Sequence, residues 1–203
     1  MGRLVDAWLH RLDQYEKLNL LALNNGPNRV GSGGYGFSNQ LPQADFDPSH
    51  IRTIDLWGSC AAQIFAAVSP QMHEEFALQH EKRWLERFGL TYYGCCEPLH
   101  KKISILKQIP NLRKVSMSPW VDLNEAVQNV GNQYVISLKP SPAIFAVDIW
   151  DLDEGCKQLI SILEKTKGCS VEVIMKDIST CRNQPQRLWE WAKMAREVTE
   201  EFA

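Results

Sequence analysis

Two adjacent thiols, a carboxylate and an imidazole lie within six residues of one another in Leu90-Thr-Tyr-Tyr-Gly-Cys-Cys-Glu-Pro-Leu-His100. Thiolates beside a carboxylate or imidazole are a common ligand set for zinc. Cys95, Cys96, Glu97 and His100 follow a short apolar stretch, Leu90–Tyr93, that stops at Gly94. This pattern predicts a buried strand that delivers them to the end of a sheet, where α/β proteins place their chemistry. Cys60, Cys156 and Cys169 are read as core or incidental thiols. Cys181 lies in a polar segment and is a further candidate ligand. No repeated C-x₂-C pair is present, so a zinc ribbon is not expected.

The elements around these residues alternate. Residues 2–16 have Leu4, Trp8, Leu9 and Leu12 at helical spacing. An apolar run, 18–23, predicts a strand, and 54–68 predicts a helix in its second half. Ser69-Pro70 is a helix start, with the helix reaching Phe88 and ending at Gly89. Strands are then expected at 90–93, 115–117, 134–138 and 171–175. Helices are expected near 98–108, at 123–130 behind Asp122, at about 151–166, and from about 185 to 202. Five strand-plus-helix units of this kind predict an α/β fold with parallel strands, either an open sheet or part of a (β/α) TIM-type barrel. A complete eight-unit barrel takes about 250 residues, and this chain has 203, so a single-domain partial barrel is expected.

Polar residues gather after the expected strands: Cys95, Cys96 and Glu97; Ser116, Ser118 and Trp120; Ser137 and Lys139; Lys176, Asp177 and Cys181. Parallel strand ends share one face, so these residues should meet in one cleft. Glu97 and Asp177 are the candidate catalytic residues. Ser118, Trp120 and Lys139 are candidate substrate contacts. Gln63, polar within the apolar 60–68 stretch, is expected to make a buried hydrogen bond near the substrate. The loop Gly31-Ser-Gly-Gly-Tyr-Gly36 lacks the Gly-Lys-Ser/Thr of a phosphate cradle and is expected to act as a flap, with Tyr35 and Phe37 covering a flat ligand.

Tyr93-Gly-Cys-Cys-Glu-Pro-Leu99 resembles the strand-end motif of the uroporphyrinogen decarboxylase superfamily, in the style of its cobalamin-dependent (corrinoid) methyltransferases. Lys114-Val-Ser-Met-Ser-Pro-Trp120 and Val135-Ile-Ser-Leu-Lys-Pro140 look like its next two strands. The resemblance covers nearly all of the chain and about the C-terminal half or more of a family barrel. It implies a zinc-dependent methyltransferase, with methylcobalamin or another corrinoid as methyl donor or acceptor and a thiol or similar small molecule as the other substrate. By the same resemblance Cys95 and Cys181 are metal ligands. Tyr93 stands where the family carries histidine, so Glu97 is the preferred third ligand, with Cys96 and His100 as alternatives. A tetrapyrrole decarboxylase and a non-catalytic subunit are the other expectations. The implied partners are a corrinoid protein, and a second copy or another chain that completes the barrel.

Composition narrows the remaining classes. Lys plus Arg is 22 against 24 for Asp plus Glu, a formal net charge of −2. Such balance argues against a dedicated nucleic-acid or anionic-membrane binder. No apolar run reaches the roughly 20 residues of a bilayer span, and the first residues do not read as a secretion signal. A cytoplasmic protein is expected.

Overall fold

The computed structural model describes residues 1–203. Its centre is a five-stranded parallel sheet of β3 (Trp57–Cys60), β4 (Leu90–Tyr93), β5 (Leu112–Met117), β6 (Val135–Leu138) and β7 (Val171–Val173). Each strand pairs with the next along the chain, in the order β3-β4-β5-β6-β7. Outside the sheet lie α1 (Gly2–Lys17) and a short antiparallel hairpin, β1 (Arg29–Val30) with β2 (Gly34–Tyr35). The parallel strands and flanking helices expected from the sequence are present.

The crossovers carry the helices. α2 (Pro70–His73) starts at Pro70, and its cap Ser69 Oγ accepts from Met72 N. It continues through one π-helical segment, Glu74–Leu78, into α3 (Gln79–Leu85). α4 (Ile103–Leu106) is a single turn. α5 (Leu123–Val130) begins where Asp122 accepts from the Asn124 and Glu125 amides, and it stops at Gly131. α6 (Leu152–Lys165) is capped by Asp151, and α7 (Gln186–Glu201) closes the chain. Each cap satisfies amides that the first helical turn leaves free.

Three expected elements differ. Residues 18–23 form no strand and run irregularly between α1 and the hairpin, while the first parallel strand is Trp57–Cys60, inside the stretch read as helix-bound. Beyond it residues 63–65 make only a 3₁₀ turn. The expected helix over 98–108 shrinks to Ile103–Leu106.

The two faces of the sheet differ. One packs Tyr93, Val115, Met117, Ile136 and Leu138 against Leu78, Leu85, Ile103, Leu106, Ala126 and Val130 of the helices. The other turns Trp57, Leu90 and Tyr92 toward Val30 of the hairpin and Leu41. Side chains alternate along a strand, so neighbouring residues feed opposite faces. β3 and β7 each have one strand neighbour. No helix is long and apolar enough to cross a membrane.

Candidate functional site

Gly94 ends β4 at φ +98, and a Cβ there would lie 2.4 Å from Leu99 Cδ1. Only glycine accepts both conditions, and the turn it permits places Cys95 and Cys96 above the sheet. Ser116 on the neighbouring strand β5 anchors them, its Oγ donating to Cys95 O at 2.6 Å. The two sulfurs are 3.5 Å apart. Ser32 of the hairpin loop donates to Cys95 Sγ at 3.2 Å. Lys176, beyond β7, places its ammonium 3.6 Å from each sulfur while donating to Ser32 Oγ at 2.8 Å. Asp177 completes the group, with Oδ2 3.1 Å from Lys176 Nζ and 3.6 Å from Cys96 Sγ. Its backbone takes φ +59, a conformation uncommon outside glycine and asparagine and often found at functional sites.

This arrangement separates the two thiols electrically. Burial pushes the Cys95 thiol up, but the Ser32 hydrogen bond, Cys96 and the Lys176 ammonium outweigh it and hold Cys95 below the ordinary thiol value. Cys96 is displaced upward, first by burial and then by the neighbouring Cys95 sulfur. Cys95 is therefore the more readily ionised thiol of the pair.

The cleft floor continues along the same face. Tyr92 donates to Ser137 Oγ at 3.0 Å and accepts from Lys139 Nζ. Lys139 also donates to Ser137 Oγ at 2.8 Å and Ser137 O at 3.1 Å. Burial pushes this ammonium down to about 8, Glu172 opposing and Lys176 reinforcing the shift. Lys114 pairs with Glu172 at 2.8 Å and donates to Tyr35 O at 2.7 Å, while Glu172 Oε1 is buried without a partner. Beside this floor a cavity of about 660 Å³ runs between hairpin, β7 end and α7, lined by Arg29, Ser32, Lys176, Asp177, Ile178 and Leu188 among others. The hairpin is seated tightly: a Cβ on Gly31 would lie 2.1 Å from the Tyr92 ring.

Of the residues singled out from the sequence, Cys95, Cys96, Asp177 and Lys139 come together on this face. Glu97 does not join them. It is 1% exposed, and its two oxygens accept from Cys95 N at 2.8 Å and Ala62 N at 3.2 Å. It ties the β4 turn to the loop after β3 and turns away from the sulfurs. Cys181 precedes α7 and shares no hydrogen bond with Cys95 or Cys96. His100 turns toward Glu125, 3.8 Å away. The expected ligand set of Cys95, Glu97 and Cys181 is therefore not assembled as a metal group. Gln63 is exposed, against the expected buried hydrogen bond. Trp120 is 77% exposed and Ser118 is buried with its Oγ unpartnered. The loop 31–36 lies over the sheet as expected of a flap, but Tyr35 and Phe37 are exposed and pack on each other, centroids 6.1 Å apart.

Two residues of this site, Ser32 and Lys176, are not marked as such by the sequence, where Lys176 is a polar strand end and nothing more. The one signal for Lys176 was its position beside Asp177 after β7. Nothing in the spacing pointed to Ser32, 63 residues before Cys95.

The opposite face of the sheet holds a second buried polar group. Tyr93 OH donates to Glu81 Oε2 at 2.6 Å and lies 2.7 Å from His73 Nε2. Burial raises Glu81 above the ordinary carboxyl range and pushes His73 down to about 4, Lys102 adding to the latter. His73 Nδ1 is buried without a partner. No protein-family model matches this chain, and no curated protein matches it significantly.

Proposed function

We propose that the chain is an enzyme of partial (β/α)-barrel form whose cleft works through the Cys95 sulfur, and that it moves a methyl group between a corrinoid and a thiol or similar acceptor. The observation that carries this reading is the position of Cys95 Sγ, between Ser32 Oγ at 3.2 Å and Lys176 Nζ at 3.6 Å, at the C-terminal end of a parallel sheet. A sulfur held as thiolate is what methyl transfer requires of a protein nucleophile or of a site that binds one. Sequential strand order supports the barrel form, and six unpaired cysteines fit a reducing, cytoplasmic setting. The resemblance of Tyr93–Leu99 to the uroporphyrinogen decarboxylase superfamily supplies the reaction class. A bound corrinoid would supply a methyl carbon open to attack by sulfur. The chain's own part is to keep Cys95 deprotonated through Lys176 and Ser32, and to hold the acceptor over the floor of Tyr92, Ser137 and Lys139.

Zinc, which the resemblance implies, does not fit the donors as arranged. The Lys176 ammonium already stands beside both sulfurs, and Glu97 is engaged by two amides. A second reading keeps the metal: two sulfurs 3.5 Å apart are close enough to share one ion at the usual zinc–sulfur distance of about 2.3 Å, once Lys176 swings out. On that reading the protein purifies with about one zinc per chain, and Lys176→Ala binds it more tightly. β3 and β7, with one neighbour each, are where a partner chain or second copy would complete the barrel, which light scattering tests.

The test of the thiolate reading is alkylation of the folded protein by iodoacetamide at neutral pH, read by mass spectrometry at each cysteine. Cys95 should label first, and Lys176→Met should slow it several-fold by removing the ammonium that favours its thiolate. Equal labelling of Cys95 and Cys181, unchanged in Lys176→Met, would remove the basis of the proposal.

A further inference from the structure

Away from the cleft, beside α1, a cavity of about 300 Å³ is lined by Val5, Trp8, Ser59, Cys60, Glu81 and Trp84. α1 packs across α3 here, and the two tryptophans meet edge to face with centroids 6.5 Å apart. The Trp84 indole N–H is already spent on Ser59 O, at 3.3 Å. Cys60 is a neutral thiol, pushed up first by burial and then by Glu81. The walls therefore offer aromatic and aliphatic surface and one group that can carry charge, the Glu81 carboxyl.

The chemistry of an occupant follows from that inventory. An anion would meet the Glu81 carboxyl and no cation among the six lining residues. A neutral apolar molecule would fill the space but strip water from Glu81 and return nothing for it. A molecule with an apolar body and a positive nitrogen satisfies both, since aromatic faces attract cations and a carboxylate pairs with them. The Trp8 indole already accepts one such group, with the Arg11 guanidinium 5.5 Å from its centroid.

Glu81 is also held from its inner side. Its Oε2 accepts from Tyr93 OH, and Tyr93 OH is 2.7 Å from His73 Nε2. With Glu81 ionised, Tyr93 donates to it and His73 Nε2–H donates to Tyr93, so the carboxylate is oriented by a fixed donor.

We infer that this cavity is a binding site for a small organic ammonium compound, its nitrogen against Glu81 and its apolar body between Trp8 and Trp84. The site is independent of the Cys95 cleft and of the function proposed for it.

Calorimetric titration of the full chain at pH 7 with benzylammonium, and separately with benzyl alcohol as its neutral counterpart, tests this. Benzylammonium should bind at least about tenfold more tightly than the alcohol, and Glu81→Gln should level the two. Trp8→Ala, at a side chain already 48% exposed, should weaken benzylammonium binding several-fold while leaving the circular dichroism spectrum unchanged. The inference fails if the parent protein shows no saturable binding or no preference for the cation. It fails equally if Glu81→Gln keeps the preference. Should Glu81→Gln not fold, an unchanged affinity in Trp8→Ala overturns it, because binding would then lie elsewhere.

Discussion

Tyr92 and Tyr93 are neighbours on β4, both fully buried, and they meet opposite surroundings. Tyr92 faces the hairpin and bonds with Lys139 and Ser137. Tyr93 faces the helices and joins Glu81 to His73. Alternation along the strand thus sends two identical side chains into a cationic network on one face and an acidic one on the other. The difference lies in redundancy. Lys139 has three acceptors, of which Tyr92 is one. Glu81 and His73 have Tyr93 alone between them. The cleft network can lose a member and stay bonded, as a ligand-binding surface must, whereas the helix-side network depends on its tyrosine.

The largest effect should come from pushing the hairpin off Tyr92. Gly31→Val adds side-chain atoms where even a Cβ would lie 2.1 Å from the Tyr92 ring, at φ +59. The expected cost is about 3 kcal/mol by urea unfolding, with faster proteolysis of residues 29–35. Parent-like stability would mean that the hairpin does not rest on the floor of the cleft.

Next is the pH response that Lys139 gives the cleft face. The Lys139 ammonium is pushed down to about 8 in the folded protein, below its ordinary value of 10.5, because burial penalises its charge. At this group the unfolded chain therefore holds more protons between these pH values, and its contribution to stability should rise from pH 8 toward 10.5. The full rise is on the order of 3 kcal/mol, and Lys139→Met should flatten it. A slope that survives in Lys139→Met belongs to another group.

The smallest effects compare the tyrosines directly. Tyr93→Phe leaves a carboxyl and an imidazole buried without their shared partner and should cost about 2 kcal/mol. Tyr92→Phe leaves Lys139 two acceptors and should cost about 1 kcal/mol. Equal shifts in the urea midpoint, at unchanged slope, would erase the proposed difference in redundancy.

How much of this could be read from the chain depends on how local each cause is. The helix starts at Ser69-Pro70 and Asp122 were legible because a cap and the amides it satisfies lie within three residues. β4 and its stop at Gly94 were legible for the same reason. β3 was not: Trp-Gly-Ser-Cys has neither alternation nor β-branched residues, and it is a strand because β4 pairs with it. Residues 18–23 look more like a strand but have no partner. In the site, the sulfurs were visible as a doublet, but their cation is Lys176, 81 residues from Cys95. The orientation of Glu97 is fixed partly by an amide 35 residues earlier. Residue types announce which groups can do chemistry, and pairing across distant segments decides which of them face one another.

The π-helical segment Glu74–Leu78 bears on this through phase. A regular α-helix advances about 100° per residue, so His73 and Glu81, eight apart, would point roughly 80° away from each other. One i→i+5 turn absorbs about one residue and returns them to within roughly 20°, close enough for both to reach one hydroxyl. Deleting a single residue from 74–78 would therefore let the segment return to regular α-helix with His73 and Glu81 seven apart and still within roughly 20°, and their link through Tyr93 should survive. Straightening the segment at unchanged length would instead swing Glu81 roughly 80° away from His73, so in this helix the extra residue and the π turn that absorbs it belong together.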